Sequence, residues 1–245
     1  MTSRNFIYDQ LSLWQNLAPN NSTNNSTLDS FEAESVFPVA VLPSDGEVLL
    51  YKNFFTAAES QIFLAKLFAE ISWQQDAMQI FGKSVALPRL TAWYGDAGKS
   101  YTYSGLEQHS KPWTPTIEAI KTRVEAVAQT RFNGVLLNLY RNGQDSVAWH
   151  SDDEPELGPN PVIGSVSFGG TRRFCFKHRQ TQQKVEILLT HGSFLLMRGE
   201  TQHYWLHQVP KTQQPVEPRI NLTFRVIFES SNSQYGKSTG VRWDF

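Results

Sequence analysis

From about residue 131 onward, apolar and polar residues alternate with a period of two, and this pattern limits the folds open to the chain. In RINLTFR (219–225), Ile, Leu and Phe alternate with Arg, Asn, Thr and Arg, so the apolar side chains share one face of an extended strand and the polar ones share the other. The pattern predicts strands at 134–140, 163–168, 173–178, 184–189, 193–197 and 219–228. Many short strands with Gly-, Pro-, Asn- and Asp-rich turns between them indicate a sandwich, a jelly roll or a barrel.

Two helices are predicted ahead of these strands. The first follows Thr56, an N-cap residue with Glu59 three positions later, and carries apolar residues at helical spacing through Ile71. The second covers 115–130, where Ile and Val residues form one stripe. Before the first helix, VAVLPSDGEVLLY is interpreted as two short strands around a turn at 44–46. Helices that precede a set of strands predict an α+β domain in which the helices brace one sheet.

The amino-terminal residues differ in composition from the rest of the chain. Residues 1–35 contain NLAPNNSTNNSTLDS, which has little to bury, so they are predicted to be a disordered tail before a single folded domain, 36–245. The net charge of −1 argues against a protein that coats nucleic acid through charge alone. The one cysteine, Cys175, excludes an intrachain disulfide and suits a reducing compartment. With no signal-like start and no apolar run near ~20 residues, we expect a chain that is neither secreted nor membrane-bound.

The stretch WHSDDE places His150 and Asp152 two positions apart. On an extended segment their side chains point to the same side, so an imidazole nitrogen and a carboxylate oxygen can reach one point. A histidine from a distant strand would complete the two-histidine, one-carboxylate set that leaves positions of Fe(II) open for a bidentate co-substrate and O2. Alone, His-x-Asp is more often a solvated loop. His191 lies in a Thr-His-Gly-Ser turn and suits a structural role, whereas His203 and His207 share parity on a predicted strand, and spacing does not separate them.

The RINLTFR strand carries a second feature, two arginines on its polar face. At about 3.3 Å per residue, the backbones of Arg219 and Arg225 lie about 20 Å apart. Two long side chains that lean toward each other can bind both ends of a small dicarboxylate, because arginine pairs bidentately with carboxylates. The alternative is an exposed strand face with two surface arginines. Asn138 and Tyr140 also have same-face spacing, on the predicted strand 134–140.

Several stretches between residues 80 and 228 together resemble one enzyme family. In chain order they are PRLTAWYGD, YTYSG, KPWTP, LNLYRNG, WHSDDEPELGP, SVSFGGTRRFCFKH, HGSFLLM, HYWLHQVP and RINLTFR. They resemble the AlkB family of Fe(II)- and 2-oxoglutarate-dependent dealkylases that repair alkylated nucleic acid bases, and in detail its animal-type members that act on double-stranded DNA. The resemblance implies a double-stranded β-helix (jelly roll) core braced by the N-terminal helices, with Fe(II), the co-substrate 2-oxoglutarate, and O2.

The resemblance also implies a role for each matching position. The family places its third ligand just before an x-x-Pro step, which selects His207 beside His150 and Asp152 as the metal-binding and catalytic set, with His203 as the alternative. The residues implied to bind 2-oxoglutarate are Asn138, Tyr140, Arg219, Asn221 and Arg225. Those implied to contact the substrate are Phe81, Arg89, Tyr101, Tyr103, Ser104, Asp153 and Glu154.

Within the substrate set, Phe81 resembles an intercalating finger at a hairpin tip; without the family, a buried hairpin anchor would be preferred. Arg89 resembles a residue of a nucleotide-recognition lid spanning about 76–110, and Asp153 and Glu154 resemble acidic residues that accept hydrogen bonds from the base. The basic run 172–179 can meet phosphates or form a solvated edge strand. Ser151 departs from the arginine of the double-strand-acting relatives, which puts the duplex preference in doubt.

The implied activity is oxidative demethylation of N-alkylated bases such as 1-methyladenine and 3-methylcytosine in DNA, coupled to decarboxylation of 2-oxoglutarate to succinate and release of formaldehyde. The alternatives are an RNA demethylase or another 2-oxoglutarate oxygenase on the same fold. A non-catalytic jelly-roll binding module would have lost a ligand or an arginine, and the sequence retains them all. We expect a monomer with DNA as its partner, cytoplasmic in a bacterium and nuclear in a eukaryote.

Overall fold

The computed structural model describes residues 37–80, 83–97, 100–103 and 106–228, with only the backbone described at 79–80, 100–103 and 106–109. The predicted tail, 1–35, lies outside these residues. The helices are α1 (Ala57–Glu70), α2 (Pro115–Ala128) and α3 (Thr201–Tyr204), with a 3-10 turn at Pro155–Leu157. The strands are β1 (Val39–Ala40), β2 (Glu47–Tyr51), β3 (Ala77–Ile80), β4 (Lys83–Ala86), β5 (Leu90–Gly95), β6 (Ser100–Tyr103), β7 (Leu106–His109), β8 (Gly134–Tyr140), β9 (Val147–His150), β10 (Ile163–Gly169), β11 (Arg172–His178), β12 (Lys184–Leu189), β13 (Ser193–Arg198), β14 (Trp205–Val209) and β15 (Arg219–Arg225).

The described strands form two main antiparallel sheets. The larger sheet has the order β1-β2-β13-β10-β15-β8-β5, and the smaller has the order β12-β11-β14-β9. One apolar cluster joins their facing sides, with Ile163 and Leu195 from the larger sheet and Phe176 and Trp205 from the smaller. A second cluster lies between the other face of the larger sheet and the helices α1 and α2. The predicted double-stranded β-helix braced by helices is therefore confirmed.

The helices begin where the sequence predicts and bury one stripe each. The Thr56 side chain accepts from the Glu59 backbone N–H at 3.2 Å, and the Glu59 carboxylate accepts from the Thr56 N–H at 2.9 Å. Thr114 caps α2, which has proline in its first turn. The predicted end at 130 is two residues too late, because Gln129 takes the left-handed conformation (φ 51°) that ends the helix.

The alternation in β15 sorts its side chains between the two faces of the larger sheet. Ile220, Leu222 and Phe224 join the cluster under the helices. The polar residues face the space between the two sheets, where they line a common cavity. The strand ends at Arg225 and not at the predicted 228, because the Asn133 side chain takes over the hydrogen bonds of the Ile227 backbone at 2.7 and 2.8 Å.

The segment 76–110, predicted to be a lid, contains one strand of the main sheet. All six residues of β5 are buried, and β5 pairs with β8. The rest of the described segment consists largely of two hairpins, β3–β4 and β6–β7. The hairpins lie outside the main sheets, so they are the parts of 76–110 that remain candidates for a lid.

Candidate active site

Strand pairing brings two of the predicted metal ligands together. His207 on β14 is the direct cross-strand partner of His150 at the end of β9, and the centroids of their rings lie 4.3 Å apart. His207 is buried, and its ring stacks on that of Phe174 at 5.3 Å with an interplanar angle of 21°. The two imidazoles are thus placed by the hydrogen-bonded ladder of the smaller sheet.

Asp152 completes the group from the segment that follows β9. Its side chain is buried, and its Oδ1 accepts from the Arg225 Nη2 at 2.8 Å. One ligand atom from each of His150, Asp152 and His207 lies within 4.8 Å of the other two. No other cluster of three His, Cys, Asp or Glu side chains in the described part of the chain comes this close. The arrangement has the residue types and the spacing of a site for one small cation.

The protonation states of the three residues also suit a cation. Burial, together with the neighbouring His150, lowers the pKa of His207 to about 3. Burial likewise lowers the pKa of His150. For Asp152 burial acts to raise the pKa, but the positive charge of Arg225 and the two histidines outweigh it, and the pKa is lowered to about 2. At neutral pH the site therefore offers two neutral imidazoles and one carboxylate.

Hydrogen bonding assigns a ligand atom to one of the histidines. The Nδ1 of His150 lies 2.8 Å from the carbonyl oxygen of Ala148, so a proton on Nδ1 can be donated to it and Nε2 keeps a lone pair for a metal. In His207 the buried Nδ1 has no hydrogen-bond partner among the residues described. A buried polar atom without a partner is costly in a folded protein. The state of His207 Nδ1 therefore fits a metal ion that binds to the imidazole.

The other two candidate histidines are not part of this group. His203 was predicted to share a strand with His207, and this is wrong, because residues 201–204 form the short helix α3 and β14 begins only at Trp205. His203 is exposed there. His191 lies in the turn before β13, and its Nδ1 accepts from the Gly169 backbone N–H at 2.8 Å, as suits a structural turn residue.

Arg219 lies at the other end of the β15 polar face and is fully buried. Its Nη2 donates to the Ser167 hydroxyl at 2.9 Å, and its guanidinium lies 5.0 Å from the centroid of the Tyr140 ring. Its Nε and Nη1 atoms have no hydrogen-bond partner in the described residues. Burial lowers the pKa of Arg219 to about 10, so the group stays charged at neutral pH. A buried cation with two such donors fits an incoming carboxylate, which can accept from both.

The two arginines do not form a symmetric pair. Arg225 forms an ion pair with Asp152 beside the candidate metal ligands, and the two side chains are only 3% and 2% exposed. Arg219 lies at the other end of the same strand, and its Nε and Nη1 have no hydrogen-bond partner among the described residues. The predicted binding of one dicarboxylate by Arg219 and Arg225 stays a prediction: both side chains line the cavity, and Arg225 is in addition paired with Asp152.

One cavity between the two sheets connects these groups. Its lining includes the predicted residues Arg89, Asn138, Tyr140, His150, Asp152, His207, Arg219, Asn221 and Arg225. Asn221 donates both to the Ser165 hydroxyl and to the Val166 carbonyl, each at 2.9 Å, so its amide N–H groups serve the cavity wall. Sequence analysis missed the apolar part of the lining, Leu136, Val147, Phe174, Met197 and Val209. The alternation of side chains along a strand would have found two of them. Leu136 shares a face of β8 with Asn138, and Phe174 shares a face of β11 with the buried Phe176.

Arg89 was predicted to belong to a lid, and it lies in the lining of the cavity. The residue is buried, and its Nε donates to the Asn138 Oδ1 at 2.8 Å. Its Nη1 donates to the Ser146 carbonyl at 3.3 Å. Because it immediately precedes the buried strand β5, its side chain enters the cavity wall beside β8 instead of covering the opening.

The acidic residues Asp153 and Glu154 follow Asp152 directly in the segment after β9. Asp153 is about half exposed, and the Nη2 of Arg179 lies 3.4 Å from its Oδ2. The same Nη2 donates to the Ser151 hydroxyl at 2.6 Å, so position 151 is buried against Arg179 and does not face solvent. Glu154 is half-buried.

The basic run 172–179 divides between two roles. Arg172 is buried and donates to the carbonyl oxygens of Asn142, Asp145 and Pro210. Its guanidinium is therefore not placed to contact phosphates, which was one of the two roles predicted for the run. The Lys177 ammonium lies 5.1 Å from the centroid of the Trp149 ring. Lys177 and Arg179 thus lie beside the segment that carries His150 and Asp152.

The remaining substrate residues are only partly described. Phe81 and Ser104 lie outside the described residues. Tyr101 and Tyr103 belong to β6, of which the backbone alone is described. Their predicted contacts with a base stay predictions.

Comparison with known proteins agrees with the fold and with this donor set. The sequence profile of the "2OG-Fe(II) oxygenase superfamily" matches residues 47–225. A double-stranded β-helix with two histidines, one aspartate and a buried arginine defines an Fe(II)- and 2-oxoglutarate-dependent dioxygenase, and the chain belongs to this superfamily. Within it, the chain is a member of the AlkB family.

Individual relatives support the family assignment. The chain is 39% identical over 208 residues to the human "Alpha-ketoglutarate-dependent dioxygenase alkB homolog 3". The match covers 80% of this chain and 72% of the human protein. It is 41% identical over 197 residues to the "DNA oxidative demethylase ALKBH2" of Mus musculus, covering 76% and 82% respectively. The solved structure "The structure of OsALKBH1" matches with a TM-score of 0.56 at 16% identity, over 76% of this chain and 99% of that one, and supports the fold alone.

The described helices are short relative to the thickness of a bilayer. None of them is both long enough and apolar enough to cross a bilayer.

Proposed function

We propose that this dioxygenase removes alkyl groups from the ring nitrogens of nucleic acid bases, with 1-methyladenine and 3-methylcytosine in DNA as substrates. The observation that carries the proposal is the convergence of the His150, Asp152 and His207 ligand atoms with the spare donors of Arg219 in one cavity. Relatives similar to this chain over most of its length are named DNA oxidative demethylases, which supports nucleic acid as the substrate class.

Different residues of the cavity would hold the iron and the co-substrate. When bound, Fe(II) and 2-oxoglutarate supply oxidation of a C–H bond by O2, with succinate, carbon dioxide and, from a methyl group, formaldehyde as products. His150, Asp152 and His207 would hold the iron, and Arg225 keeps the Asp152 carboxylate ionised and oriented.

The co-substrate would lie between the metal group and the distal end of the cavity. Arg219 would bind its far carboxylate through Nε and Nη1, with Tyr140 packed against the guanidinium. Asn138, held by Arg89, and Asn221, held by Ser165, would complete the polar wall. The buried guanidinium of Arg219 would bind one carboxylate of the dicarboxylate and so orient the molecule in the cavity.

The cavity mouth carries the groups proposed to receive the base. A methyl group on the pairing edge is inaccessible in a duplex, so the base must be turned out of the stack, at a cost of a few kcal/mol. Asp153 and Glu154 directly follow Asp152 and would favour a base that carries the positive charge of ring methylation. Tyr101, Tyr103 and Ser104 are proposed to line the base pocket, and Phe81 to fill the space that the base leaves.

The surface beside the mouth would meet the sugar-phosphate backbone. Lys177 contacts Trp149 and Arg179 contacts Ser151, so both lie beside the segment that carries His150 and Asp152. Arg173, on the same strand as Lys177, is about half exposed. Cations at these positions can contact phosphates without reading sequence, and such contacts weaken as salt rises.

A formaldehyde-release assay tests the proposal. The iron-loaded protein is incubated with 2-oxoglutarate, O2 and 1-methyladenine placed in single-stranded DNA, double-stranded DNA or RNA. Release from DNA is expected, and release from RNA alone would favour the alternative, an RNA demethylase. Formaldehyde from none of the three substrates would overturn the proposal.

A further inference from the structure

Asp152 differs from the two histidines in how it is held. His150 and His207 occupy paired strands, so the backbone ladder fixes both of them. Asp152 follows the end of β9, in a segment of residues 151–154 without regular secondary structure. The position of its carboxylate must therefore depend on contacts from other parts of the chain.

Two contacts from different elements hold Asp152. Arg225 on β15 binds its carboxylate at 2.8 Å. The Oε1 of Gln202 on α3 accepts the Asp152 backbone N–H at 2.9 Å, and both residues are 1% exposed. The Gln202 Nε2 points to the Met197 Sδ at 3.9 Å. The side chain of Asp152 is thus fixed by one residue and its backbone by another.

Gln202 is itself attached to a rigid part of the larger sheet. The neighbouring Thr201 is fully buried, and its hydroxyl donates to the Arg198 carbonyl at 2.6 Å and accepts from the Glu47 N–H at 3.0 Å. Gly46, at φ 148°, packs so closely that a Cβ there would lie 2.6 Å from the Thr201 Oγ1. The short helix α3 therefore presents the Gln202 amide from a fixed position on β2 and β13.

We propose that Gln202 is a positioning residue that aims Asp152 and so sets the affinity of the site for a divalent metal ion. Without its oxygen, the buried N–H of Asp152 loses its acceptor, and the segment that carries the carboxylate can rotate away from the two imidazoles. This inference rests on the proposed function only in taking Asp152 as a metal ligand, and it involves no nucleic acid.

Two substitutions of equal length test this role. Gln202→Met keeps the volume and removes the acceptor, whereas Gln202→Glu keeps an oxygen at the same reach. Binding of Co²⁺ to the metal-free protein is followed by its visible absorption, without 2-oxoglutarate or nucleic acid. We expect the Kd of Gln202→Met to rise by about tenfold or more, as for other residues that orient metal ligands, and that of Gln202→Glu to stay within about threefold of wild type.

A control separates positioning from general loss of stability. Leu64→Ala removes buried apolar volume beneath the helices, far from the metal group, and costs about 2–5 kcal/mol of folding free energy. Its Co²⁺ affinity should match the wild type even though it unfolds at lower temperature. If Gln202→Met does not fold, Gln202→Asn, whose oxygen is one methylene short, takes its place with the same expectation.

The outcomes distinguish this inference from the demethylase proposal. A wild-type Kd in Gln202→Met, or equal losses in the Met and Glu variants, would overturn the positioning role. Co²⁺ binding that is weakened in Gln202→Met but not in Gln202→Glu would support the positioning role. If the wild type in addition released no formaldehyde, the demethylase proposal would be overturned while the positioning role stood. A wild-type Kd that His150→Ala leaves unchanged would overturn both.

Discussion

Replacing Arg219 with lysine should weaken the binding of 2-oxoglutarate by about 10- to 150-fold and leave metal binding unchanged. Arg219 is buried with Nε and Nη1 available, and a carboxylate can accept from both at once. Each hydrogen bond to a charged group contributes about 1.5–3 kcal/mol, and lysine retains the charge but not the fork. The loss of one such bond gives the stated range at about 1.4 kcal/mol per factor of ten.

Removal of the whole charge should have a larger effect. Arg219→Met eliminates both bonds to the carboxylate, about 3–6 kcal/mol, which corresponds to a loss of two to four powers of ten in affinity. The assay is calorimetric titration of 2-oxoglutarate into protein loaded with Mn²⁺ in the absence of O2. The KM for 2-oxoglutarate, measured from succinate formation with the iron enzyme, should rise in parallel.

The matched control for this series is Arg198→Lys. Arg198 forms a bidentate ion pair with Glu47 on the surface of the larger sheet and makes no contact with the cavity. Its substitution should leave the affinity for 2-oxoglutarate unchanged. The reasoning would be refuted by wild-type affinity in Arg219→Lys, or by a loss of metal affinity as large as the loss of co-substrate affinity.

Three further predictions concern the metal group and the substrate. His150→Ala should abolish succinate formation because it removes one of the three ligands, and turnover at the wild-type rate would contradict the metal assignment. The pKa of His207 falls from 6.5 in the unfolded chain to about 3 in the fold, so stability is present above pH 6.5 and is lost as the pH falls toward 3. Urea unfolding of the metal-free protein should show a total loss of about 2 kcal/mol between pH 7 and pH 5 that His207→Gln reduces, whereas an equal loss in the variant would count against burial of a neutral imidazole. Phe81→Ala should reduce formaldehyde release from duplex DNA more than from single strands, and equal losses would discredit the finger assignment.

The sequence predicted those parts of the fold in which one face is buried and the other is not. Strand β15 alternates cleanly, and its polar face lines the cavity as expected. Strand β5 was not predicted, because all six of its residues are buried and no alternation remains to mark it. Arg89 immediately precedes this strand, and its position in the cavity lining follows from the pairing of β5 with β8.

The candidate site was predicted as a set of residues but not as a set of contacts. The spacing of His150 and Asp152 and the polar face of β15 were visible in the sequence. That Arg225 binds Asp152, and that Gln202 holds its backbone, follows only from the way distant segments fold together. No local pattern distinguishes Gln202 from a surface glutamine, so its role required the structure.

The direct pairing of His150 with His207 makes their separation in space independent of the length of chain between them. Insertions in the turns that join β10 through β13 would leave both rings facing each other, whereas deletion of one residue within β9 would reverse the direction of its side chains and turn the imidazole toward the outside. Loop variation and metal chemistry are thereby decoupled, so the surface around the opening can be remodelled for different polymers while the oxidation centre stays the same.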